Sequence, residues 1–485
     1  MRNIKDQRLI KSGSYIDGNW HNSDTCFSVS NPATGEVIAQ VSDAGSQEAI
    51  LAVQAAKKAF KAWSTKPAHE RAKLLGNWFN LMMEHQHDLA RILTLEQGKP
   101  LTEAKGEIAY GASFIEWFAE EGKRIYGDTI PSLSSNQKII VIKQAVGVVA
   151  AITPWNFPNA MIARKAAAAL AAGCTFVARP AAQTPLSALA MAELADRAGI
   201  PAGVFNVIAG ENASEIGQVF TTHPDVAKFT FTGSTAVGKT LIKQCASSVK
   251  KVSMELGGNA PFIVFNDADI EAAVQGAISS KYRNAGQTCV CTNRIFVQKE
   301  LLTTFTEKFA TAVNNLRVGN GINDNTDIGP MISSAAVDNV AKLVNESISQ
   351  GAVLNTGGKR HQAGSHFFQP TILTNVTHDM AIAHNEIFGP VSPIIAFENE
   401  ADVIAMANDT EYGLAAYFYA RDIGRVWRVA QALEYGMVGI NEAIISNAAA
   451  PFGGVKQSGS GREGSKYGLD DYLEIKYLCM GGIED

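Results

Sequence analysis

The sequence predicts an α/β protein, and three observations support that prediction. Short β-rich runs alternate with helical segments from residue 147 onward, a pattern typical of parallel sheets with crossover helices. The runs are almost continuously apolar, as strands are when helices cover both faces of a sheet. The chain has 485 residues and 46% of them are hydrophobic, which is enough for two or three domains with large cores.

Residues 45–125 are predicted to be helical. The segments "AVQAAKKAFKAW" and "RAKLLGNWFNLMMEHQHDLARILTLEQGKP" place apolar residues at i, i+3 and i+4, with no proline in either interior. Gly98 and Pro100 are expected to end the second helix. The next segment, residues 132–147, has the polar start and the alternation of a strand or hairpin.

Four strands are predicted in the block that follows, at residues 147–152, 174–180, 204–210 and 228–233. The segments between them are helical in period or composition. Strands and helices in alternation predict a parallel sheet built from right-handed βαβ units.

A second α/β block is predicted from residue 260 onward. Strands are expected at residues 260–265, 292–298 and 352–358, a helix at residues 301–316, and a continuation of the block at residues 413–422.

One late strand is predicted at residues 470–480, after the glycine-rich "FGGVKQSGSGREG". A late, isolated strand often completes a sheet elsewhere. It is therefore assigned, together with residues 132–147, to an arm that pairs between subunits.

Charge and composition exclude several classes of function. The net charge is −5, the pI is about 6.0 and no block of five like charges occurs, so nucleic acid and anionic membranes are not expected as partners. Two prolines, two asparagines and a glutamine interrupt the longest uncharged run, residues 144–163, which argues against a membrane helix. The N-terminus lacks the apolar core of a signal peptide, and six cysteines without a paired framework suit a reducing compartment. A soluble cytoplasmic protein whose partners are small molecules or copies of itself is predicted.

The segment "FTFTGSTAVGKT" combines a strand, a glycine-containing turn and a helix start. Gly233 permits the turn, and Ser234 can cap the helix, whose amide N–H groups would face a pyrophosphate. The spacing G-x-x-x-x-G is looser than the dinucleotide fingerprint. Taken alone, it fits a dinucleotide site and an ordinary βα turn equally well.

Two cysteines stand on either side of one valine in "RNAGQTCVC", residues 283–291. No C-x-x-C and no nearby histidine pair accompanies them, so no metal site is predicted. A structural disulfide is disfavoured in the cytosol. The residues alone leave two interpretations open, a buried inert cysteine and a reactive thiol.

Three further segments each place a polar side chain beside a strand end or a chain break. "AITPWNFP" contains Asn156, "KVSMELGGNAPFIV" contains Glu255 and "NEIFGPV" contains Glu386. Together with "GQTC", in this order and spacing, they resemble the signature set of the aldehyde dehydrogenase superfamily. The resemblance extends from "NPATGEVIA" at residues 31–39 to "PFGGVKQSGSGREG" at residues 451–464.

The resemblance implies an aldehyde dehydrogenase-like subunit of three domains that forms homodimers or homotetramers. A Rossmann-type NAD(P)-binding domain would comprise residues 1–131 and 148–257, and an α/β catalytic domain would comprise residues 258–450. Residues 132–147 and 451–485 would form a small β oligomerisation arm and the C-terminal segment.

The resemblance also implies a role for each motif residue. Cys289 corresponds to the nucleophile, whose thiolate adds to the aldehyde carbon, because hydride cannot leave before a tetrahedral thiohemiacetal exists. Asn156 and the Cys289 backbone N–H would hold the oxyanion, and Glu255 would activate the water that hydrolyses the thioester. Glu386 would bind the nicotinamide ribose, with Phe388 packed near it. The residues implied in cofactor binding are Thr153, Pro154, Trp155, Arg179, Ala182, Gly233, Ser234, Gly257, Glu386 and Phe388.

Within the superfamily, "MIARKAAAALAAGC", "RNAGQTCVCTNR" and "GGVKQSGSGREGSKYG" resemble the succinate-semialdehyde dehydrogenases. That likeness implies that Arg164, Arg283 and Ser458 hold the distal carboxylate of the substrate, a task suited to guanidinium groups. Oxidation of succinate semialdehyde to succinate is therefore expected. Glutarate semialdehyde is an alternative substrate, because one methylene typically discriminates by only about 1–3 kcal/mol.

The adenosine end departs from the family pattern at "RPAAQTP", residues 179–185. Arg179 replaces the usual lysine, and Ala182 stands where NAD-preferring members often have a glutamate. Without that carboxylate, and with a cation nearby, NADP is expected to be preferred and NAD to be possible. Ala182 cannot donate to a 2′-phosphate, so Arg179 either compensates or weakens the binding of both cofactors.

Cys291 is a possible redox partner of Cys289, since relatives with this pair include members that form a reversible disulfide. A passive loop residue is the alternative interpretation.

The motif residues argue against two rival functions. CoA-acylating dehydrogenases usually lack the hydrolytic glutamate, and a non-catalytic binding relative would have lost Cys289, Glu255 or Asn156, all of which are present.

Overall fold

A computed structural model describes residues 3–482 of the chain. Its strands are β1 (Ser14–Ile16), β2 (Asn19–His21), β3 (Cys26–Ser30), β4 (Val37–Ser42), β5 (Asp128–Ile130), β6 (Gln137–Ala145), β7 (Val148–Ile152), β8 (Thr175–Arg179), β9 (Phe205–Val207), β10 (Val226–Thr232), β11 (Lys251–Glu255), β12 (Ala260–Val264), β13 (Thr292–Gln298), β14 (Val353–Thr356), β15 (Thr371–Thr374), β16 (Val391–Phe397), β17 (Ala415–Tyr419), β18 (Met437–Ile440), β19 (Gly459–Ser460) and β20 (Leu473–Gly481).

The helices alternate with these strands over most of the chain. They are α1 (Ser46–Ser64), α2 (Ala68–Glu84), α3 (Gln86–Gln97), α4 (Leu101–Glu121), α5 (Ala160–Ala172), α6 (Leu186–Arg197), α7 (Ala213–Thr222), α8 (Thr235–Cys245), α9 (Ile270–Lys281), α10 (Leu302–Asn314), α11 (Ser334–Ser349), α12 (Ala381–His384), α13 (Glu400–Asn408) and α14 (Ile423–Ala432). None of the helices described is both long and apolar enough to span a bilayer.

The first sheet has eight strands in the order β19-β11-β10-β7-β8-β9-β1-β2. The strands from β11 to β9 are parallel neighbours, which confirms the predicted βαβ block. Its two edges were not predicted. The N-terminal β1 joins β9 in antiparallel register, and the two-residue β19 joins β11 in the same way.

The amino-terminal helices pack against this sheet and against α5. The segment predicted to be one long second helix divides at His85, which ends α2 and precedes α3. Gly98 ends α3 with φ +98°, a left-handed conformation that glycine adopts without steric cost, so the predicted helix end is confirmed.

The second sheet has seven strands in the order β14-β15-β16-β13-β12-β17-β18. All neighbours in it are parallel except β14, which is an antiparallel edge. The second α/β block is therefore confirmed, although β15, β16 and β18 were not recognised in the sequence.

A third sheet of three strands, β20-β6-β5, forms the arm. Strand β20 pairs with β6 over nine positions, from Leu473 opposite Ala145 to Gly481 opposite Gln137. Two short segments pair across the predicted domain boundaries, since Asp128–Ile130 pairs within the arm sheet and Gly459–Ser460 pairs within the first sheet. Residues 483–485, which the predicted arm includes, lie outside the described residues.

The strand register sets the position of the functional segments. Ile152 at the end of β7 lies beside Phe231 in β10, and Thr232 at the end of β10 lies beside Glu255 at the end of β11. Three of the predicted motifs therefore leave the first sheet at one edge. This is the carboxyl edge, where open α/β sheets bind their ligands.

Candidate active site

The nucleophile loop connects α9 to β13 through a strained turn. Three consecutive residues, Asn284, Ala285 and Gly286, have φ values of +52°, +55° and +75°. Such values cost a non-glycine residue roughly 1–3 kcal/mol and persist only where the surroundings impose them. The Asn284 side chain supplies part of that restraint, since its Nδ2 donates to the carbonyl oxygens of Asn156 (3.0 Å) and Gln287 (3.1 Å).

Close backbone packing brings the end of β11 against this loop. A Cβ added to Gly258 would lie 2.3 Å from the carbonyl oxygen of Cys289, and one added to Gly257 would lie 2.8 Å from Oε2 of Glu386. Only glycine leaves room for both approaches, which explains the Gly-Gly pair after Glu255.

Cys289 is half-buried at the junction of two cavities. Burial raises the pKa of its thiol to about 12, and the carboxyl groups of Glu386 and Glu255 raise it further. The Arg164 guanidinium acts in the opposite direction. The resting nucleophile is therefore a neutral thiol that has to lose a proton before it reacts.

Asn156 follows β7 and is almost fully buried. Its Nδ2 donates to the Gln287 carbonyl oxygen at 3.0 Å, and since an amide has two N–H groups, a second donor remains for an oxyanion. Its backbone carbonyl accepts from the buried Lys99 Nζ at 2.8 Å, and Lys99 also pairs with Glu107 at 2.6 Å. The sequence analysis did not identify Lys99, although it is part of the "GKP" that ends α3.

Glu255 ends β11 with its carboxyl group buried and with no hydrogen-bond partner for Oε2 among residues 3–482. Burial raises its pKa to about 8, and the nearby Glu463 carboxylate also raises it, whereas Arg164 and Lys165 lower it. Glu463 itself is buried and pairs with both Arg164 and Lys165. A carboxyl group in such a setting is suited to general-base work near neutral pH.

Cys289, Asn156 and Glu255 meet around one cavity of about 280 Å³, at the carboxyl edge of the first sheet. Glu386, Phe388 and the predicted pyrophosphate turn border the same cavity.

A larger cleft of about 970 Å³ continues from this cavity along the first sheet. Ser234 caps α8 there, its hydroxyl accepting from the Val237 N–H as predicted. Every residue predicted to bind the cofactor lines one of these two spaces: Thr153, Pro154, Trp155, Arg179, Ala182, Gly233 and Ser234 line the cleft, and Gly257, Glu386 and Phe388 line the smaller cavity. Residues of the β3 strand, Phe27 and Ser28, also line the cleft and were not foreseen.

Arg179 lines this cleft. Its Nη2 donates to the carbonyl oxygens of Gly210 (2.7 Å) and Glu211 (3.2 Å), while Nε has no partner among the described residues. Burial lowers the pKa of the guanidinium to about 10, which still leaves it charged at neutral pH. Ala182 lies beside it and presents only a methyl group.

The third space, of about 320 Å³, lies on the other side of Cys289. Arg164 and Arg283 both line it, and Arg164 Nη2 and Arg283 Nε are buried without a partner among residues 3–482. The Arg164 guanidinium is fixed from behind by Glu463 and by the Phe452 ring, whose centroid lies 4.0 Å away. Apolar side chains make up much of the remaining wall, which is completed by Tyr110, Phe157, Met161, Val290, Ile444 and Phe452.

Ser458, which the resemblance implies in substrate binding, does not line this cavity. Its hydroxyl donates to the Gly257 carbonyl oxygen at 2.7 Å and accepts from the Gly413 N–H at 2.9 Å. Both hydrogen bonds tie backbone segments together in the protein interior. Another serine, Ser446, twelve residues earlier in a loop with no periodic pattern, does line the cavity, as do Thr288 and Tyr110.

Cys291 is buried next to the nucleophile loop. Its Sγ donates to the Gly286 carbonyl oxygen at 3.3 Å, and its N–H donates to the Thr288 carbonyl oxygen at 3.1 Å. The thiol is free, as is that of Cys289.

Comparison with known proteins agrees with this arrangement. The aldehyde dehydrogenase family model matches residues 20–478. The 3-sulfolactaldehyde dehydrogenase of Pseudomonas putida is 59% identical over 100% of both chains, and the glutarate-semialdehyde dehydrogenase of Pseudomonas aeruginosa is 58% identical over 99% of this chain and 100% of its own. The NADP(+) succinate-semialdehyde dehydrogenase GabD of Escherichia coli is 58% identical over 99% of each chain. The chain therefore belongs to the aldehyde dehydrogenase family, and the enzyme is an NAD(P)-dependent aldehyde dehydrogenase.

Proposed function

We propose that this enzyme oxidises succinate semialdehyde to succinate. One observation carries the proposal: Arg164 and Arg283 line the cavity that ends at the Cys289 thiol, and one nitrogen of each guanidinium group, Arg164 Nη2 and Arg283 Nε, is buried without a partner among the described residues. Unpaired charged donors in a buried site are costly unless a ligand satisfies them. A short aldehyde with an anion at its far end satisfies both groups while its carbonyl carbon reaches the sulfur.

Other ω-anionic aldehydes are the second candidates. Glutarate semialdehyde adds one methylene, which an apolar wall rejects by only about 1–3 kcal/mol. A sulfonate is also an anion that accepts from guanidinium groups, and the names of the relatives include both kinds of substrate. Ser446 is the proposed third donor to the anion, in place of Ser458.

The dinucleotide site is supported by unpaired polar atoms along the cleft. Oγ1 of Thr153, Oγ1 of Thr232 and Nε of Arg179 are buried there without partners among the described residues. Glu386 would hold the ribose of NAD(P) in this cleft, and the cofactor would supply the acceptor for the hydride that leaves the aldehyde carbon.

Thiohemiacetal formation begins at the sulfur. The Cys289 thiol loses its proton to the Glu255 carboxylate, the thiolate forms a bond to the aldehyde carbon, and the carbonyl electron pair moves to oxygen. Asn156 Nδ2 and the Cys289 N–H donate to that oxyanion, and removing one such donor typically costs about 3 kcal/mol of barrier. Departure of hydride restores the carbonyl and leaves a thioester on Cys289.

Hydrolysis then releases the acid. Glu255 first releases the Cys289 proton to solvent and then takes a proton from water as the water oxygen bonds to the thioester carbon. The C–S bond breaks, the leaving thiolate takes that proton from Glu255 and becomes the resting thiol again, and the acid loses its own proton to solvent and departs as a carboxylate.

NADP is the proposed preferred cofactor. Ala182 provides no carboxylate to repel a 2′-phosphate, and the Arg179 guanidinium nearby is charged at neutral pH. NAD remains usable, because neither residue contributes a group that would exclude it.

The proposed assembly is a homodimer or homotetramer held through the arm. Strand β20, at the edge of the arm sheet, exposes Ile475 and Tyr477 on one face and Leu478 and Met480 on the other, apolar side chains that a second subunit would cover. A cytoplasmic location is proposed because the nucleophile has to remain a free thiol.

The test is a panel of initial rates with succinate semialdehyde, glutarate semialdehyde and neutral aldehydes of similar length. Each aldehyde is measured with NAD and with NADP. We expect Arg283→Ala to raise KM at least about 10-fold for the acid substrates, the loss of one charge-assisted hydrogen bond, and to spare a neutral aldehyde. Equal losses on acid and neutral substrates would refute the anion pocket.

A further inference from the structure

The turn that contains Glu386 is held by a residue to which none of the motifs assigns a role. Asn293 lies in β13, four residues after Cys289, and is buried. Its Nδ2 donates to the Asn385 carbonyl oxygen at 2.8 Å, and its Oδ1 accepts from the Ile387 N–H at 3.0 Å. One side chain therefore binds the backbone on both sides of Glu386.

A second buried asparagine supports the first. Asn259 Oδ1 accepts from Asn293 Nδ2 at 2.6 Å, and Asn259 Nδ2 donates to the Ala383 carbonyl oxygen at 2.9 Å. Asn259 itself follows the Gly-Gly pair whose Gly258 N–H donates to Glu386 Oε1 at 3.0 Å. The two amides thus connect β13, the end of β11 and the Glu386 turn within one network.

The turn needs such a restraint because its backbone is strained. Phe388 has φ +50°, a left-handed value that an aromatic residue adopts only when its surroundings require it. Its ring stands edge-on to Trp155, with 5.6 Å between the centroids, at the rim of the cofactor cavity. If the backbone at residues 385 and 387 were released, the turn would relax and the Glu386 carboxylate would move with it.

We propose that Asn293 is a positioning residue for the cofactor: it fixes the Glu386 carboxylate at the nicotinamide ribose and connects that carboxylate to the strand that follows the nucleophile. The inference rests on the proposed ribose-binding role of Glu386 and is independent of the aldehyde that the enzyme oxidises. Asn293 touches neither substrate nor dinucleotide, so its effect has to pass through Glu386.

The principal variant is Asn293→Asp, which has nearly the same volume. It keeps the acceptor for Ile387 but places an oxygen against the Asn385 and Asn259 oxygens. We expect the Kd for NADP, measured by quenching of tryptophan fluorescence, to rise about 10-fold or more, the effect of one lost buried hydrogen bond. Hydrolysis of 4-nitrophenyl acetate without dinucleotide, which uses Cys289, Asn156 and Glu255, should stay within about 2-fold of the wild type, because no bond made or broken in it involves Glu386.

Asn408 offers a matched control. It also binds both sides of a turn, donating to the Ala432 carbonyl oxygen at 2.8 Å and accepting from the Glu434 N–H at 3.0 Å, but it lines neither cofactor space. Asn408→Ala should leave both the NADP Kd and ester hydrolysis at wild-type values.

The double variant Asn293→Asp/Glu386→Gln tests whether the effect passes through Glu386. If it does, the double variant binds NADP about as weakly as Glu386→Gln alone. Asn293→Ser, a smaller polar replacement, is measured beside Asn293→Asp so that a folding failure of one variant leaves the other to decide.

Three results would overturn the proposal: an unchanged Kd, a parallel loss of NADP binding and ester hydrolysis, or full additivity with Glu386→Gln. Neither assay involves the distal anion of the substrate. A failure of the succinate-semialdehyde assignment would therefore leave this test intact.

Discussion

Replacement of Lys99 by methionine should damage both stability and catalysis, because this buried ammonium has two acceptors of different kinds. It pairs with Glu107 at 2.6 Å and donates to the Asn156 backbone carbonyl at 2.8 Å, and the side chains of Lys99 and Glu107 are each only 1% exposed. Breaking a buried ion pair by removing one partner typically costs about 3–5 kcal/mol. Glu107 keeps two backbone donors, the N–H groups of Asn159 (3.0 Å) and Ala160 (3.3 Å). We therefore expect the free energy of unfolding to fall by about 3 kcal/mol, the lower end of this range.

The catalytic effect should be separable from the loss of stability. Asn156 would keep one backbone anchor, Asn284 Nδ2, and a displacement of its amide by 1 Å costs roughly 100-fold in rate. We therefore expect kcat to fall about 10- to 100-fold, equally for acid and neutral aldehydes, because Asn156 acts at the carbonyl carbon. The double variant Lys99→Met/Glu107→Gln removes both charges and keeps an oxygen for the Asn159 and Ala160 N–H groups, so it should regain most of the stability and none of the rate.

Denaturant unfolding of the apoenzyme and steady-state rates at saturating substrate measure the two effects. Lys308→Met, which breaks the exposed Lys308–Glu271 pair, is the control and should cost less than about 1 kcal/mol. A Lys99→Met protein with wild-type stability, or a double variant that regains full activity, would refute the reasoning.

Three further predictions concern the chemistry of the site. Burial raises the pKa of Glu255 to about 8, so thioester hydrolysis should accelerate with rising pH until about pH 8; Glu255→Gln should abolish this dependence, slow hydrolysis by about 10²–10⁴-fold and let the acyl-enzyme accumulate in intact-protein mass spectra. Ala182→Glu should raise KM for NADP about 10-fold or more and leave KM for NAD little changed, since a carboxylate repels only the 2′-phosphate; equal effects on both cofactors would contradict the assignment. If Cys291 is a redox partner of Cys289, dithiothreitol should fully restore peroxide-treated wild type but not Cys291→Ala; identical recovery of both proteins would remove the hypothesis.

The parts of the fold that sequence could predict are those with a strong local pattern. Strands β7, β8, β10, β12 and β13 were found because each is a short apolar run bounded by turn residues. The N-terminal β1 was missed, since three residues that complete the edge of a distant sheet have no period of their own. The division at His85 was missed because the apolar spacing continues across it, although one residue there leaves the helical path.

The residues of the site also divide into those that a short sequence motif reveals and those whose role depends on the path of the folded chain. The catalytic and cofactor residues lie in short motifs at the ends of strands, and the strand register brings those ends together. Ser446 and Ser458 could not be distinguished in the sequence, because both are serines in irregular loops. Only the path of the chain decides that the first lines the cavity and the second ties Gly257 to Gly413.

The residues that sequence reasoning missed altogether are buried charges with distant partners. Lys99 acts on Asn156, 57 residues away, and Glu463 acts on Arg164, 299 residues away. A charged residue in a sequence is usually on the surface, so neither position could be recognised as functional before its burial was known. Within the structure their importance follows from electrostatics, because Lys99 pairs with the buried Glu107 and Glu463 pairs with the buried Arg164, and burying one member of either pair without the other would cost several kcal/mol. The reactive groups of this site can therefore remain close together only while the charges behind them stay paired, and variants of those distant charges should lower activity although they lie outside the predicted site.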